Sequence, residues 1–105
     1  MIYSGGTSEG AMVLIVDDVE INRVILEEII HNIGCKTALA ENGEEALRLV
    51  KEVSPQLILS DISMPGMNGY ELCSRLKENE ETREIPVIFI SAYAASEDIV
   101  EGFSH

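Results

Sequence analysis

Short apolar runs alternate along this chain with amphipathic stretches. Met12-Val-Leu-Ile-Val-Asp17 is a continuous apolar run ending in acid. A run without polar alternation has the pattern of a strand buried on both faces. Ile21, Val24, Ile25, Ile29 and Ile33 then recur at helical spacing, with Asn22, Arg23, Glu27 and Glu28 largely on other faces. The spacing predicts an amphipathic helix closed by Gly34 at the C′ position. Cys35 to Ala40 is a second strand candidate, and Asn42-Gly43 turns the chain. Ala46, Leu47 and Val50 mark a second helix among Glu44, Glu45, Arg48 and Lys51. Pro55 separates it from Leu57-Ile-Leu-Ser-Asp61, a third strand that again ends in acid. Met64-Pro-Gly-Met-Asn-Gly69 reads as a loop from its Pro and Gly content. A third helix follows with Leu72, Cys73 and Leu76 inward, then a polar connection from Glu78 to Glu84. Pro86-Val-Ile-Phe-Ile-Ser91 is a fourth strand, Pro being tolerated at a strand's first position. Ser96 is an N-cap candidate for a fourth helix with Glu97 and Asp98 in its first turn.

Four strand–helix alternations without a hairpin signal predict βαβ units and a mostly parallel sheet covered by helices. The 105 residues suffice for one domain. The formal net charge of −12 argues against direct contact with nucleic acid, whose phosphates it would repel, and suits cations or basic partners. No apolar run approaches the roughly 18 residues needed to cross a bilayer. Residues 1–11 lack the charged and apolar regions of a secretion signal and read as a flexible leader, with 12–105 as the domain. Cys35 and Cys73 are far apart with no metal-ligand spacing, which fits two reduced thiols in a cytoplasmic core.

In an open parallel sheet, ligands bind beyond the carboxyl ends of the strands, where strand order reverses. There the first strand ends in Asp17-Asp18, the third in Asp61 and the fourth in Ser91. If the first and third strands are neighbours, their ends lie about 5 Å apart and three carboxylates share one pocket. Like charges so close do not all stay ionised unaided. A hard cation resolves the conflict, and Mg²⁺ favours carboxylate, water and phosphate oxygens. An Asp beside Mg²⁺ can attack a phosphoryl group and form an aspartyl phosphate. Taken singly, the same residues have plainer readings. Asp17 or Asp18 could N-cap the first helix, Asp61 could cap a turn, and Ser91 could be an ordinary strand-end hydroxyl. Acids closing two apolar strands and a hydroxyl closing a third favour the metal-and-phosphate reading.

Three segments resemble the signature segments of response regulator receiver domains, the CheY-like modules of two-component signalling. They are Val13-Leu-Ile-Val-Asp-Asp-Val-Glu-Ile-Asn-Arg23, Asp61-Ile-Ser-Met-Pro-Gly-Met-Asn-Gly69 and Pro86-Val-Ile-Phe-Ile-Ser-Ala92. Asn42-Gly-Glu-Glu-Ala-Leu47 adds the familiar opening of the second helix. The resemblance implies an α/β, flavodoxin-like, doubly wound parallel sheet, here of order 2-1-3-4. It implies that Asp61 is the phosphoacceptor in a phosphorelay. Asp18 and Asp61 would ligate Mg²⁺ directly, Asp17 mainly through water, and Ser63 through its backbone carbonyl. Ser91 would be the switch hydroxyl, with Tyr93 just beyond it in the surface that is remodelled. The partners implied are a histidine kinase or phosphotransfer protein and an output of unspecified kind. The protein would be a switch rather than an enzyme.

The sequence departs from the family pattern at its end. The Lys-Pro pair expected after a fifth strand, that strand and the fifth helix would all lie beyond His105, so the domain is expected to be cut short at its C-terminus. The fourth strand would then be an apolar edge open to a second copy of the chain, giving a homodimer by strand pairing or exchange. Modification of Asp61 would be weak without the Lys. The competing reading is an interaction module that keeps the receiver fold but works without phosphate. An Asp-nucleophile phosphatase is disfavoured because its acids are spaced Asp-x-Asp and here are adjacent. A dinucleotide-binding domain lacks its Gly-x-Gly-x-x-Gly after the first strand.

Overall fold

The computed structural model describes residues 11–90. Its elements run β1 (Met12–Val16), α1 (Glu20–Ile33), β2 (Lys36–Ala40), α2 (Gly43–Val53), β3 (Leu57–Asp61), α3 (Gly69–Glu78) and β4 (Val87–Ile90). The four strands form one parallel sheet in the order β2-β1-β3-β4. Each predicted strand and helix within these residues is present, with ends shifted by a residue or two. Ser91, Tyr93, the Ser96 helix and the leader through Gly10 lie outside the described residues.

Alternation along the central strands divides the core by face. Leu14, Val16 and Ile58 pack with Ala46 and Val50 of α2 and with Leu72 and Leu76 of α3. Val13, Ile15 and Leu59 face the other way and meet Ile30 of α1. Leu14, Ile15, Ile58 and Leu72 are fully buried, and each such side chain stabilises the fold by about 1.5–3 kcal/mol through its removal from water. Phe89 of β4 meets Tyr70 of α3 edge to face, with ring centroids 4.9 Å apart and planes at 68°, which ties α3 to the outer strand.

The face that α1 turns inward differs from a simple reading of its apolar spacing. Ile21, Val24, Ile25, Ile29 and Ile33 are exposed, at 46–65%, while Leu26 and Ile30 do the packing. The apolar arc of this helix is wider than the sheet face it meets, so only the part centred on Leu26 and Ile30 is buried. Thr37 Oγ1 on β2 donates to Glu27 Oε2 at 3.3 Å and lies 2.9 Å from His31 Nε2, which holds that side of α1 over β2. Gly34 ends the helix in the left-handed region, at φ 102°, as its position predicts.

Candidate metal and phosphoryl site

All four strands are parallel, so their carboxyl ends share one edge of the sheet. The chain leaves β1 to one side through α1 and returns over β1 through α2 to reach β3. Strand order therefore reverses between β1 and β3, and a crevice opens at their carboxyl ends. Register does the rest. Val16 pairs with Ser60, so the next residues, Asp17 and Asp61, emerge side by side. Ile90 pairs with Asp61 from the other flank.

Asp17, Asp18 and Asp61 each bring a carboxylate oxygen to within 4.8 Å of the others. Asp17 and Asp61 are buried, at 4% and 6% exposure, while Asp18 reaches solvent. The capping alternative fails for both acids of the pair. Val19 is the N-cap of α1 and caps it with no side chain. Asp17 instead folds back, its Oδ1 accepting the Val19 N–H at 2.9 Å. Its backbone carbonyl accepts a 2.7 Å hydrogen bond from Arg23 Nη1, so the turn carrying both acids is held from α1.

Burial, and then the neighbouring charge of Asp17, push the Asp61 carboxyl from 3.8 up to about 6. Asp18 adds to the rise, while backbone hydrogen bonding from Ile62 and Ser63 opposes it. Three carboxylates within ligand distance, one kept from ionising easily, form an all-oxygen donor set with surplus negative charge. That set fits a hard divalent cation such as Mg²⁺, which prefers a few carboxylates and completes its shell with water or phosphate oxygens.

The loop after Asp61 is closed tightly against it. The Gly69 N–H donates to the Ile62 carbonyl at 2.8 Å. A Cβ on Gly69 would collide with the Asp61 carbonyl oxygen and lie 3.1 Å from Ile62 Cα. Gly69 is therefore needed for close approach rather than for an unusual dihedral angle. Asn68 caps α3 in a reciprocal box, its Oδ1 accepting from Glu71 N at 2.8 Å while Glu71 Oε1 accepts from Asn68 N at 2.9 Å. Ser63, the predicted carbonyl donor, sits in this loop two residues beyond Asp61. The sequence pattern points to the three acids but not to two of their supports. By spacing alone, Arg23 belongs to a solvent face and Gly69 to a generic loop. A Gly eight residues after a strand-end acid, just inside a helix start, is the available signal for the second.

A family model described as "Response regulator receiver domain" matches residues 13–105. The "Polar-differentiation response regulator DivK" of Brucella anthropi is 42% identical over 86 residues, which cover 82% of this chain and 70% of that protein. The "Probable transcriptional regulator ycf29" of Pyropia yezoensis is 39% identical over 92 residues, 88% of this chain. The chain spans only 41% of that relative's length. The solved structure of the Vibrio cholerae chemotaxis protein CheY4 superimposes with a TM-score of 0.78 at 26% identity, covering 90% of this chain and 78% of that one.

Proposed function

The chain belongs to the response regulator receiver domain family of two-component signalling, and on that premise we propose that Asp61 is its phosphoacceptor, with Mg²⁺ held by Asp17, Asp18, Asp61 and the backbone carbonyl of Ser63. Receiver domains are signalling switches that work with histidine kinases or phosphotransfer proteins. The observation that carries the proposal is the convergence of three carboxylates, within 4.8 Å of one another, at the ends of the two central strands.

Burial and Asp17 raise the Asp61 carboxyl to about 6 in the metal-free site, and a cation bound there would favour its ionised form; one oxygen of the carboxylate attacks phosphorus. A new P–O bond forms as the bond to the donor imidazole breaks, and the imidazole leaves with the bonding pair and takes up a proton. Mg²⁺ supplies charge neutralisation at the phosphoryl oxygens during this transfer. Asp18 would ligate Mg²⁺ directly and Asp17 through water. Its bond to Val19 N–H and the Arg23 bond to its carbonyl hold Asp17 in register with Asp61. Ser91, following Ile90 at the end of β4, acts as the switch hydroxyl that moves toward the phosphorylated Asp61 and shifts the population toward an active conformer. In this reading residues 12–105 are a cytoplasmic receiver preceded by a leader of residues 1–11, and the protein is a switch that assists only its own modification. No helix among the described residues is long and apolar enough to cross a membrane.

Beryllofluoride, a mimic of the phosphoryl group, tests this reading. Amide NMR spectra in Mg²⁺ should show residues around Asp61 shifting on its addition, with no response in Asp61→Asn. An unchanged spectrum for the wild-type protein would favour an interaction module that works without phosphate.

A further inference from the structure

Asn42-Gly43 reads in the sequence as a turn, yet Gly43 is the first residue of α2, and its dihedral angles are open to any residue. Asn42 does the turning: it is the extended N-cap, and its side chain accepts from Glu45 N at 2.8 Å. Gly43 is buried for another reason. A Cβ built there would lie 2.7 Å from Met67 Sδ and 3.0 Å from both Met67 Cβ and Cγ. Rotation about the side-chain bonds could move the sulfur but not the Met67 Cβ, which would have to give by a few tenths of an ångström and draw its backbone with it.

We propose that Gly43 is a positioning residue for the acceptor site, acting through Met67 and the loop between β3 and α3. The proposal rests on the reading of the acidic site given above and deepens it. The helix end is held against yielding in place of Met67. Asn42 and Glu45 cap it, Glu45 Oε1 also accepts from Glu41 N at 2.7 Å, and Ala46 and Val50 are fixed in the core. The loop is held on both sides of Met67. Met64 is buried on one side of Met67. On the other, Gly69 lies against the Asp61 carbonyl and bonds to Ile62. A shift at Met67 therefore reaches Gly69 two residues later, and from there the backbone of Asp61 and the loop carrying Ser63. Contact runs from Gly43 to Met67, then through the loop to Gly69 and Asp61, and it couples the start of α2 to a site on β3.

Gly43→Ala separates this role from helix stability, because Ala favours the helix itself over Gly. Three readouts apply to the full chain: Mg²⁺ affinity by calorimetry, amide exchange of Gly69 by NMR, and the thermal midpoint. Gly43→Ala should weaken Mg²⁺ binding about tenfold, as loss of outer-shell support does at metal sites, and should speed exchange at Gly69. Met67→Ala removes the anchor without adding a methyl group and should weaken binding less. The double variant keeps the 3.0 Å approach to the Cβ at position 67 but loses the contacts with Sδ and Cγ, so its loss of Mg²⁺ affinity should be smaller than the two single losses combined. A change in thermal midpoint with unaltered Mg²⁺ affinity would overturn the proposal, as would additive losses in the double variant. If Gly43→Ala does not fold, Met67→Ala decides alone, and unchanged exchange and affinity would overturn it. A wild-type protein that binds no Mg²⁺ would sink the reading of the acidic site and any positioning role toward it. Exchange at Gly69 reports separately whether the Gly43–Met67 contact controls the loop.

Discussion

Asp61 ends β3 with its carboxyl raised from 3.8 to about 6, mainly by burial and then by Asp17. The raised value has a defined sign for stability. The folded protein holds this proton to higher pH than the unfolded chain does, so without a metal the fold loses stability as pH rises from about 4 to about 6. The loss is on the order of 2 kcal/mol, since each tenfold change in proton affinity corresponds to about 1.4 kcal/mol and the pocket mouth is partly solvated. Asp61→Asn, which cannot ionise, should therefore be more stable than the wild-type protein at pH 7.5 by that order in Mg²⁺-free urea denaturation. The advantage should shrink at pH 4. Equal stabilities at both pH values would show that burial and the neighbouring acids do not raise the Asp61 carboxyl as described. The acids themselves are legible in the sequence because charge closing an apolar strand is an uncommon pattern. Arg23 is not, because a guanidinium that bonds a backbone carbonyl has the same spacing as one on a wet helix face.

At the scale of elements, the strands are the easiest to read, because a continuous apolar run such as Leu14 to Val16, too short for a helix, fits a buried strand best. The α1 helix is legible as a helix, but the face it buries is not. Its isoleucines recur at helical spacing on a broad arc, of which Ile30 goes inward with Leu26 while Ile33 stays out, and Thr37 contacts Glu27 and His31 on the flank of the buried face. The element that matters most for the site is the start of α3. Its reciprocal Asn68–Glu71 box fixes the far end of the acceptor loop. Asn68→Ala should cost about 1 kcal/mol in urea denaturation and should also weaken Mg²⁺ binding, because the same loop carries Ser63. A stability loss with intact Mg²⁺ affinity would mean that the cap serves the helix alone.

Across the whole molecule, topology is what brings distant acids together. Parallel strands joined by crossovers put every carboxyl end on one edge, and the reversal between β1 and β3 opens that edge into a crevice. The order 2-1-3-4 is legible because strand–helix alternation leaves few arrangements, although the family resemblance is needed to choose among them. The outer strand carries a consequence of its own. β4 is the last strand of the described sheet on its side, and Ile88 is 44% exposed. The 105-residue chain should therefore associate with itself as concentration rises, against the repulsion of its net charge of −12. Size-exclusion chromatography with light scattering, across a hundredfold range of concentration, should show a dimer that salt strengthens; a monomer throughout would refute this.

The crowded acids must act together on phosphorus if Asp61 is the acceptor. Intact-mass analysis after incubation with acetyl phosphate, followed by peptide mapping, measures this directly. The prediction is a single phosphoryl adduct, even at low occupancy, located on Asp61, formed with Mg²⁺ and not with EDTA, and absent from Asp61→Asn. No adduct on the wild-type protein, or one that forms equally in EDTA or persists in Asp61→Asn, would contradict it.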